Sequence, residues 1–209
     1  MQGADQDRGE HHDAMVKSSI ALRSVSNISS ADACQRLLLL AKAKTPILDS
    51  TYGNGLFWAG CEWPIIGMDV EPTRAKNLVG SFLCLPFLAG AFPTVVFDPP
   101  FHPFVGSAEQ TRFSACGGNE KELKTQFIAG LRECWRVTQR HLLVKCQGFV
   151  HNHAPQWMPL WATGCLGDPF EWLIVWREAK RVSGRWVSTN SLRRNHADYL
   201  LFDKRGNKR

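Results

Sequence analysis

Short apolar runs that end at or near an acidic residue recur through the first half of the chain. Runs of this length, rich in valine and isoleucine and bounded by turn residues, are typical of buried β-strands. The predicted strands cover residues 46–49, 64–70, 94–98, 141–146, 170–176 and 196–204. Helices are predicted over residues 31–44, 119–139 and 157–166, with a short helical piece over residues 56–61 and at most two helical turns over residues 73–79. This alternation predicts an α/β domain with a mostly parallel sheet.

The domain is expected to begin near residue 29. Residues 1–28 are polar, carry both charge signs and predict a flexible segment, whereas residues 29–209 supply the predicted elements. Ser29 or Ser30 can cap the helix that follows. No apolar run reaches the length needed to cross a bilayer, and residues 1–13 do not resemble a signal peptide. We therefore expect a cytoplasmic protein, either a monomer or a homodimer.

The most specific stretch is the corner that follows the predicted strand at residues 94–98. Asp98 is followed by Pro99, Pro100 and Phe101. Neither proline can donate to a strand ladder, and each restricts the residue before it to extended conformations. The strand must therefore end in a stiff corner that carries one carboxylate and one aromatic ring. In open α/β sheets, ligands bind at this carboxyl edge.

Two other predicted strands end in the same way. Asp49 is followed by a loop with Gly53 and Gly55, where the chain can turn tightly and a ligand can approach the backbone. Asp69 lies at the end of the next predicted strand, where an acid often binds ribose hydroxyls, and Glu71 is the alternative. A glycine turn without a ligand is the alternative for the loop. Together the three strand ends predict a single site.

The Asp98-Pro99-Pro100-Phe101 corner resembles the Asp-Pro-Pro-aromatic motif of methyltransferases that modify exocyclic amines of nucleobases, and residues 49–55 resemble the first S-adenosylmethionine (AdoMet) motif of the class I fold. The resemblance covers residues 45–105 closely. It implies a Rossmann-like fold with a seven-stranded, mostly parallel sheet, whose last strand lies antiparallel between the fifth and sixth. It also implies that Asp98 and the Pro99 carbonyl accept hydrogen bonds from the base amine, and that Phe101 stacks on the base.

The resemblance further implies a set of cofactor contacts. The glycine loop would lie against the methionine part of AdoMet, and Asp69 would bind its ribose. The family often has Gly-Asp after the next element, but this chain has Gly80-Ser81, so Ser81 would bond the adenine amine. Phe82 would line an apolar adenine site, with a plain core role as the alternative. The predicted cofactor-binding residues are Asp49, Thr51, Tyr52, Gly53, Gly55, Asp69, Ser81 and Phe82.

Positive charge is concentrated near the end of the chain. Residues 180–209 carry nine Lys or Arg and two acids, a net charge of +7, whereas the whole chain has +6. Such a gradient is typical of phosphate binding, and a tryptophan among arginines can stack on bases. A solvated hairpin with a packing tryptophan is the alternative. The predicted nucleic-acid-binding residues are Arg181, Arg185, Trp186, Arg193 and Arg194.

The remaining candidates carry less information. Residues 102–118 have little periodicity and predict a lid that orders when nucleic acid binds. The seven cysteines include no Cys-x-x-Cys pair, which favours reduced thiols. Cys146 with His151 and His153 fits no standard zinc spacing, so no metal site is predicted.

The function that these features predict is AdoMet-dependent methylation of an exocyclic amine in nucleic acid, with adenine N6 in DNA as the first choice. RNA methylation at adenine N6 or guanine N2 is the alternative, because Phe101 occupies the aromatic position as in some RNA enzymes. Cytosine N4 comes third. A nucleic-acid-binding protein that kept the fold without catalysis is the alternative of another class.

Overall fold

The computed structural model describes residues 23–101, 120–151, 154–176 and 196–206. The strands in this part of the chain are β1 Val25–Ser26, β2 Ile47–Asp49, β3 Ile65–Asp69, β4 Leu78–Val79, β5 Phe92–Phe97, β6 Thr138–Cys146, β7 Phe149–His151, β8 Ala154–Gln156, β9 Glu171–Trp176 and β10 His196–Asp203. The helices are α1 Ser30–Leu40, α2 Glu120–Val137 and α3 Met158–Leu166, with one 3₁₀ turn at Leu56–Trp58.

The main sheet has the strand order β1-β9-β10-β6-β5-β2-β3-β4, and β7 pairs with β8 in a separate hairpin. Neighbouring strands of the main sheet are parallel, except that β10 runs antiparallel to β6 on one side and to β9 on the other. This confirms the predicted last strand. The predicted count of seven strands is wrong by one, because β1 adds an eighth strand parallel to β9. Val25 and Ser26 of β1 fall within the segment that was predicted to be flexible.

Apolar side chains cover both faces of the sheet. Along β5, Val95 and Phe97 pack in a cluster with α2 and α3, whereas Val96 packs in a second cluster with α1 and the 3₁₀ turn. Successive side chains of a strand point to opposite faces, so each strand contributes to both clusters. The central strands β2, β5, β6 and β10 are mostly buried, and acidic residues lie at or just after the carboxyl ends of β2, β3 and β5.

Helix α1 begins as predicted and ends earlier. The Ser29 hydroxyl accepts a hydrogen bond from the Asp32 N–H, which confirms the predicted cap. The predicted end at residue 44 is wrong, because Lys42 adopts a left-handed conformation with φ of 51°. The Ala43 N–H donates to the Leu38 carbonyl and the Lys42 N–H to the Leu39 carbonyl, which is a Schellman ending.

The helical turns predicted over residues 73–79 are also wrong. A single turn forms after Glu71, whose carbonyl accepts hydrogen bonds from the Arg74 and Ala75 N–H groups. The side-chain oxygen of Asn77 then accepts a hydrogen bond from the Gly67 N–H, and the backbone N–H of Asn77 donates to the Gly67 carbonyl. These two hydrogen bonds lead the chain along β3, so the next residues form β4. Within the described ranges, no helix has the length and apolar character required to span a membrane.

Candidate active site

The three acids predicted to share a site lie along one edge of the sheet. Asp49 is the last residue of β2, and it pairs in register with Gly67 of β3 and Val96 of β5. Asp69 and Asp98 each come two residues further along those neighbouring strands. Because β3, β2 and β5 are parallel neighbours, the three carboxylates meet at their common carboxyl end.

Thr51 joins the loop after β2 to the corner after β5. Its N–H donates to Asp49 Oδ1 at 3.1 Å, and its hydroxyl oxygen accepts from the Asp98 N–H at 2.7 Å. The neighbouring Ser50 hydroxyl donates to the Val96 carbonyl at 3.0 Å. The side chain of residue 51 therefore ties the glycine loop to the Asp-Pro-Pro corner, and that of residue 50 ties the loop to β5.

Asp69 anchors the glycine loop from the other side. Its Oδ2 accepts from the Gly53 N–H at 2.9 Å, and its Oδ1 accepts from the Glu71 N–H at 2.8 Å. Each oxygen therefore holds a backbone N–H in this structure. Glu71, the alternative for the ribose, accepts from the Thr73 hydroxyl at 3.3 Å and is exposed. Of the two acids, Asp69 is the one that binds the glycine loop.

Asp49 is the most deeply buried acid of the three, with 2% of its surface exposed. Burial raises its pKa to about 7, and the nearby charges of Asp98 and Asp69 act in the same direction. Hydrogen bonds from the Trp58 indole N–H, at 2.7 Å, and from the Thr51 N–H lower the pKa and offset part of that rise. The buried Asp49 carboxylate therefore binds both ends of the loop, through Thr51 and Trp58.

Tyr52 occupies the space beside the glycines of the loop. Gly53 and Gly55 have φ of 55° and 65°, a conformation that suits glycine. A Cβ at Gly55 would lie 2.5 Å from the Tyr52 hydroxyl oxygen, and a Cβ at Gly67 would overlap the Tyr52 ring. In this structure Gly55 and Gly67 therefore make room for a tyrosine ring. The sequence did not point to Gly67, since its partner is distant along the chain.

The loop leads into only one 3₁₀ turn, Leu56–Trp58, in place of the helical piece expected over residues 56–61. Gln35 of α1 holds this turn: its amide donates to the Phe57 carbonyl at 2.8 Å and to the Ala59 carbonyl at 3.2 Å. The turn places the Trp58 indole against Asp49. A buried glutamine from the first helix thus fixes the far end of the loop.

Asp98 forms an ion pair that the sequence did not reveal. Lys145 Nζ lies 2.8 Å from Asp98 Oδ2, and the two side chains are only 13% and 23% exposed. The ammonium also lies 5.1 Å from the centre of the Phe57 ring and 5.8 Å from that of Phe101. Only the register between β5 and β6 could have revealed this ion pair. Phe97 of β5 pairs with Val144 of β6, so the next residues, Asp98 and Lys145, are neighbours.

The other predicted residues belong either to the Asp-Pro-Pro corner or to the predicted adenine site. Pro99 is buried, Pro100 and Phe101 are half-buried, and Phe101 packs on the core cluster beside α2. The Ser81 hydroxyl accepts from the Leu83 N–H at 3.2 Å. Phe82 is 7% exposed and packs edge-on against Phe97, with ring centres 5.3 Å apart, so it has the core role that was its alternative.

The predicted nucleic-acid-binding residues and the predicted lid lie outside the described residues. This applies to Arg181, Arg185, Trp186, Arg193 and Arg194, and to residues 102–118. In the described ranges no group of three His, Cys, Asp or Glu side chains could hold a metal ion. Six cysteines of those ranges are free thiols. His151 contacts Glu120, with 2.9 Å between Nδ1 and Oε2.

No family model and no curated protein matches this chain. Among solved structures, it is similar to Thermoplasma acidophilum 1320, at 14% identity over 84% of this chain and 88% of that one, with a TM-score of 0.52. It also matches a SAM-dependent methyltransferase from Methanosarcina mazei, at 12% identity over 79% and 96%, with a TM-score of 0.47. TrmN from Thermus thermophilus matches at 13% identity over 84% and 49%, with a TM-score of 0.46.

At these identities the likeness concerns the fold. The order of the strands and the antiparallel β10 between β6 and β9 are those of the Rossmann-like class I methyltransferase fold, which this chain has. In the main sheet seven strands, β1–β6 and β9, run in one direction, and β10 alone runs in the other. The site at the ends of β2, β3 and β5 lies where α/β sheets bind ligands.

Proposed function

We propose that this protein is an AdoMet-dependent methyltransferase acting on an exocyclic amine of a nucleobase, with adenine N6 in DNA as the first choice. The observation that supports it most is the position of the Asp98-Pro99-Pro100-Phe101 corner. It directly follows β5, and Thr51 ties it to the glycine loop. A nucleobase bound at the corner would thus lie beside a ligand bound at the loop.

The chemistry of this edge fits AdoMet, the cofactor associated with this fold. Its sulfonium and amino groups are positive, and the carboxylates of Asp49 and Asp69 hold the glycine loop that would contact it. Two apolar side chains, Val70 and Val79, are about half exposed, at 53% and 54%, and lie beside Asp69 at the ends of β3 and β4. They offer apolar surface to an adenine ring. When bound, AdoMet supplies the electrophilic methyl group.

The chain's own residues would orient the amine. Asp98 and the Pro99 carbonyl accept hydrogen bonds from the NH₂ group, which aims the nitrogen lone pair at the methyl group. Phe101 stacks on the base after it leaves its neighbours in the strand. Because the two prolines fix the backbone, the carboxylate, the carbonyl and the ring keep their relative positions. Catalysis in this proposal is orientation and electrostatics, without a strong base.

The test offers tritiated AdoMet with DNA and with RNA, followed by digestion and identification of the modified base. Methyl label on adenine in DNA is expected; label on RNA, or on guanine or cytosine, would move the proposal to the corresponding substrate. A protein that binds nucleic acid but shows no AdoMet affinity and no transfer would be the non-catalytic binder. That result would contradict the proposal.

The same assay separates the two halves of the site. Asp98→Ala removes an acceptor for the base amine but leaves the loop in place, so transfer should fall about a hundredfold to a thousandfold. AdoMet affinity, measured by titration calorimetry, should stay close to wild type. Glu62→Gln, which removes a carboxylate at an exposed position, is the control. Equal loss of transfer and of cofactor affinity in Asp98→Ala would contradict these separate roles.

A further inference from the structure

The Lys145–Asp98 pair places a hydrogen-bond donor beside the acceptor that the base amine would use. The two charged groups are 2.8 Å apart and mostly buried. The same ammonium lies against Phe101, the ring proposed to stack on the base. A base held by Asp98 and Phe101 would therefore be within reach of Lys145. The question is which atom of the base the ammonium would meet.

Every nucleobase amine is bonded to a ring carbon that also carries a ring nitrogen with a lone pair. In adenine the ring nitrogen on the same carbon is N1, and N7 lies on the other side of the amine, bonded to the next ring carbon. In cytosine and in guanine the ring nitrogen with a lone pair next to the amine is N3. Base edges are read by matching donors to acceptors in this way. An acceptor on the protein for the amine, next to a donor for the ring nitrogen, complements that edge.

We propose that Lys145 recognises the target base, its ammonium donating a hydrogen bond to the ring nitrogen next to the amine held by Asp98. This inference rests on the proposed function. A lysine ammonium has three donors and a carboxylate accepts about four hydrogen bonds, so the ion pair can persist while each member also binds the base.

The surroundings of Lys145 suit a fixed donor rather than a mobile surface charge. Its side chain is 13% exposed and lies between the rings of Phe57 and Phe101. Its backbone belongs to β6, which is paired on both sides, with β5 and β10. A donor whose position is set in advance loses little freedom when the base arrives. An ion pair that only balanced the charge of Asp98 would not respond to the ring nitrogen.

The experiment pairs variants with base analogues. The substrate is an oligonucleotide pool with random flanks lacking adenine around one central adenine, 1-deazaadenine or 7-deazaadenine. Each analogue replaces one ring nitrogen by C–H and keeps the amine. Methyl transfer from AdoMet is measured for wild type, Lys145→Met, Lys145→Arg and the control Lys204→Met. Lys204 is also an ammonium near an aromatic ring, 4.9 Å from Trp135, but it lies at the opposite edge of the sheet.

For wild type we expect one of the two analogues to lower kcat/KM by roughly tenfold to a hundredfold relative to adenine. In Lys145→Met that analogue and adenine should react equally, whereas Lys204→Met should keep the wild-type penalty and Lys145→Arg part of it. An undiminished penalty in Lys145→Met, or no penalty for either analogue in wild type, would overturn the inference while leaving the methyltransferase proposal standing. If the wild-type protein transferred no methyl group to any base, both the inference and the methyltransferase proposal would be wrong. If digestion identifies cytosine or guanine, the corresponding 3-deaza base replaces the adenine analogues.

Discussion

Replacement of Asp49 by asparagine should change how the stability of the protein depends on pH. Asp49 is 2% exposed, and its pKa rises from the ordinary 3.8 to about 7, chiefly because burial disfavours the charged form. The folded protein therefore holds this proton more tightly than the unfolded chain does. Between about pH 4 and pH 7 the proton is bound in the folded state and lost in the unfolded state, so the free energy of unfolding falls as pH rises.

The size of this effect follows from the two pKa values. A tenfold difference in proton affinity corresponds to about 1.4 kcal/mol, so a roughly thousandfold difference corresponds to about 4 kcal/mol, fully lost above pH 7. The asparagine side chain in Asp49→Asn is of similar size and does not titrate. Its one oxygen can accept from Trp58 or from Thr51 but not from both, which subtracts a constant of about 1–3 kcal/mol at every pH.

The assay is urea unfolding followed by circular dichroism at several pH values from about 4 to 8. Relative to wild type, Asp49→Asn should become more stable by about 4 kcal/mol between the ends of that range. The difference between the two proteins removes contributions from other groups, such as Asp198, whose pKa burial also raises. Glu62→Gln, at an exposed position, should track wild type. Parallel curves for Asp49→Asn and wild type would refute the reasoning.

Three further predictions concern packing and hydrogen bonding around the site. Thr51→Val removes the acceptor of the Asp98 N–H and should cost about 1–3 kcal/mol in urea unfolding, whereas Thr51→Ser should keep most of the stability; equal losses would argue against this hydrogen bond. Gly67→Ala should cost about 1–3 kcal/mol because its Cβ meets the Tyr52 ring and, at 2.9 Å, Lys76 Cβ. The cost should fall, without vanishing, in a Tyr52→Ala background, and an equal cost in both backgrounds would exclude the clash with the tyrosine. Burial raises the pKa of Cys134 to about 12. Iodoacetamide near pH 8 should therefore label the exposed Cys84 first in the native protein, as measured by mass spectrometry. Labelling of Cys134 before Cys84 would contradict the burial of Cys134.

The edge of the sheet was predictable because its signal is local. Each of the three strands ends in or directly before an acid, and parallel strands place their carboxyl ends together, so the meeting of Asp49, Asp69 and Asp98 needed no knowledge of distant contacts. The insertion of β10 followed from the resemblance. The stiff corner followed from the two prolines, whose restrictions do not depend on their surroundings.

What was missed depends on contacts between residues far apart in the sequence. Lys145 becomes a neighbour of Asp98 through the register of β5 with β6. Strand β4 has two residues and forms because Asn77 pairs with Gly67, which no periodicity reveals. Tyr52 belongs to a loop but fills the space left by Gly67 in a different strand. In each case tertiary packing, rather than local preference, decides the outcome.

The hydroxyl of Thr51 has a consequence for any attempt to redesign this protein. The loop after β2 and the corner after β5 are far apart along the chain, yet they share one hydrogen bond between residues 47 positions apart. Lengthening or shortening either segment would pull that contact apart. The two segments therefore have to be exchanged together, as one matched unit, if a graft from another scaffold is to keep the corner in place.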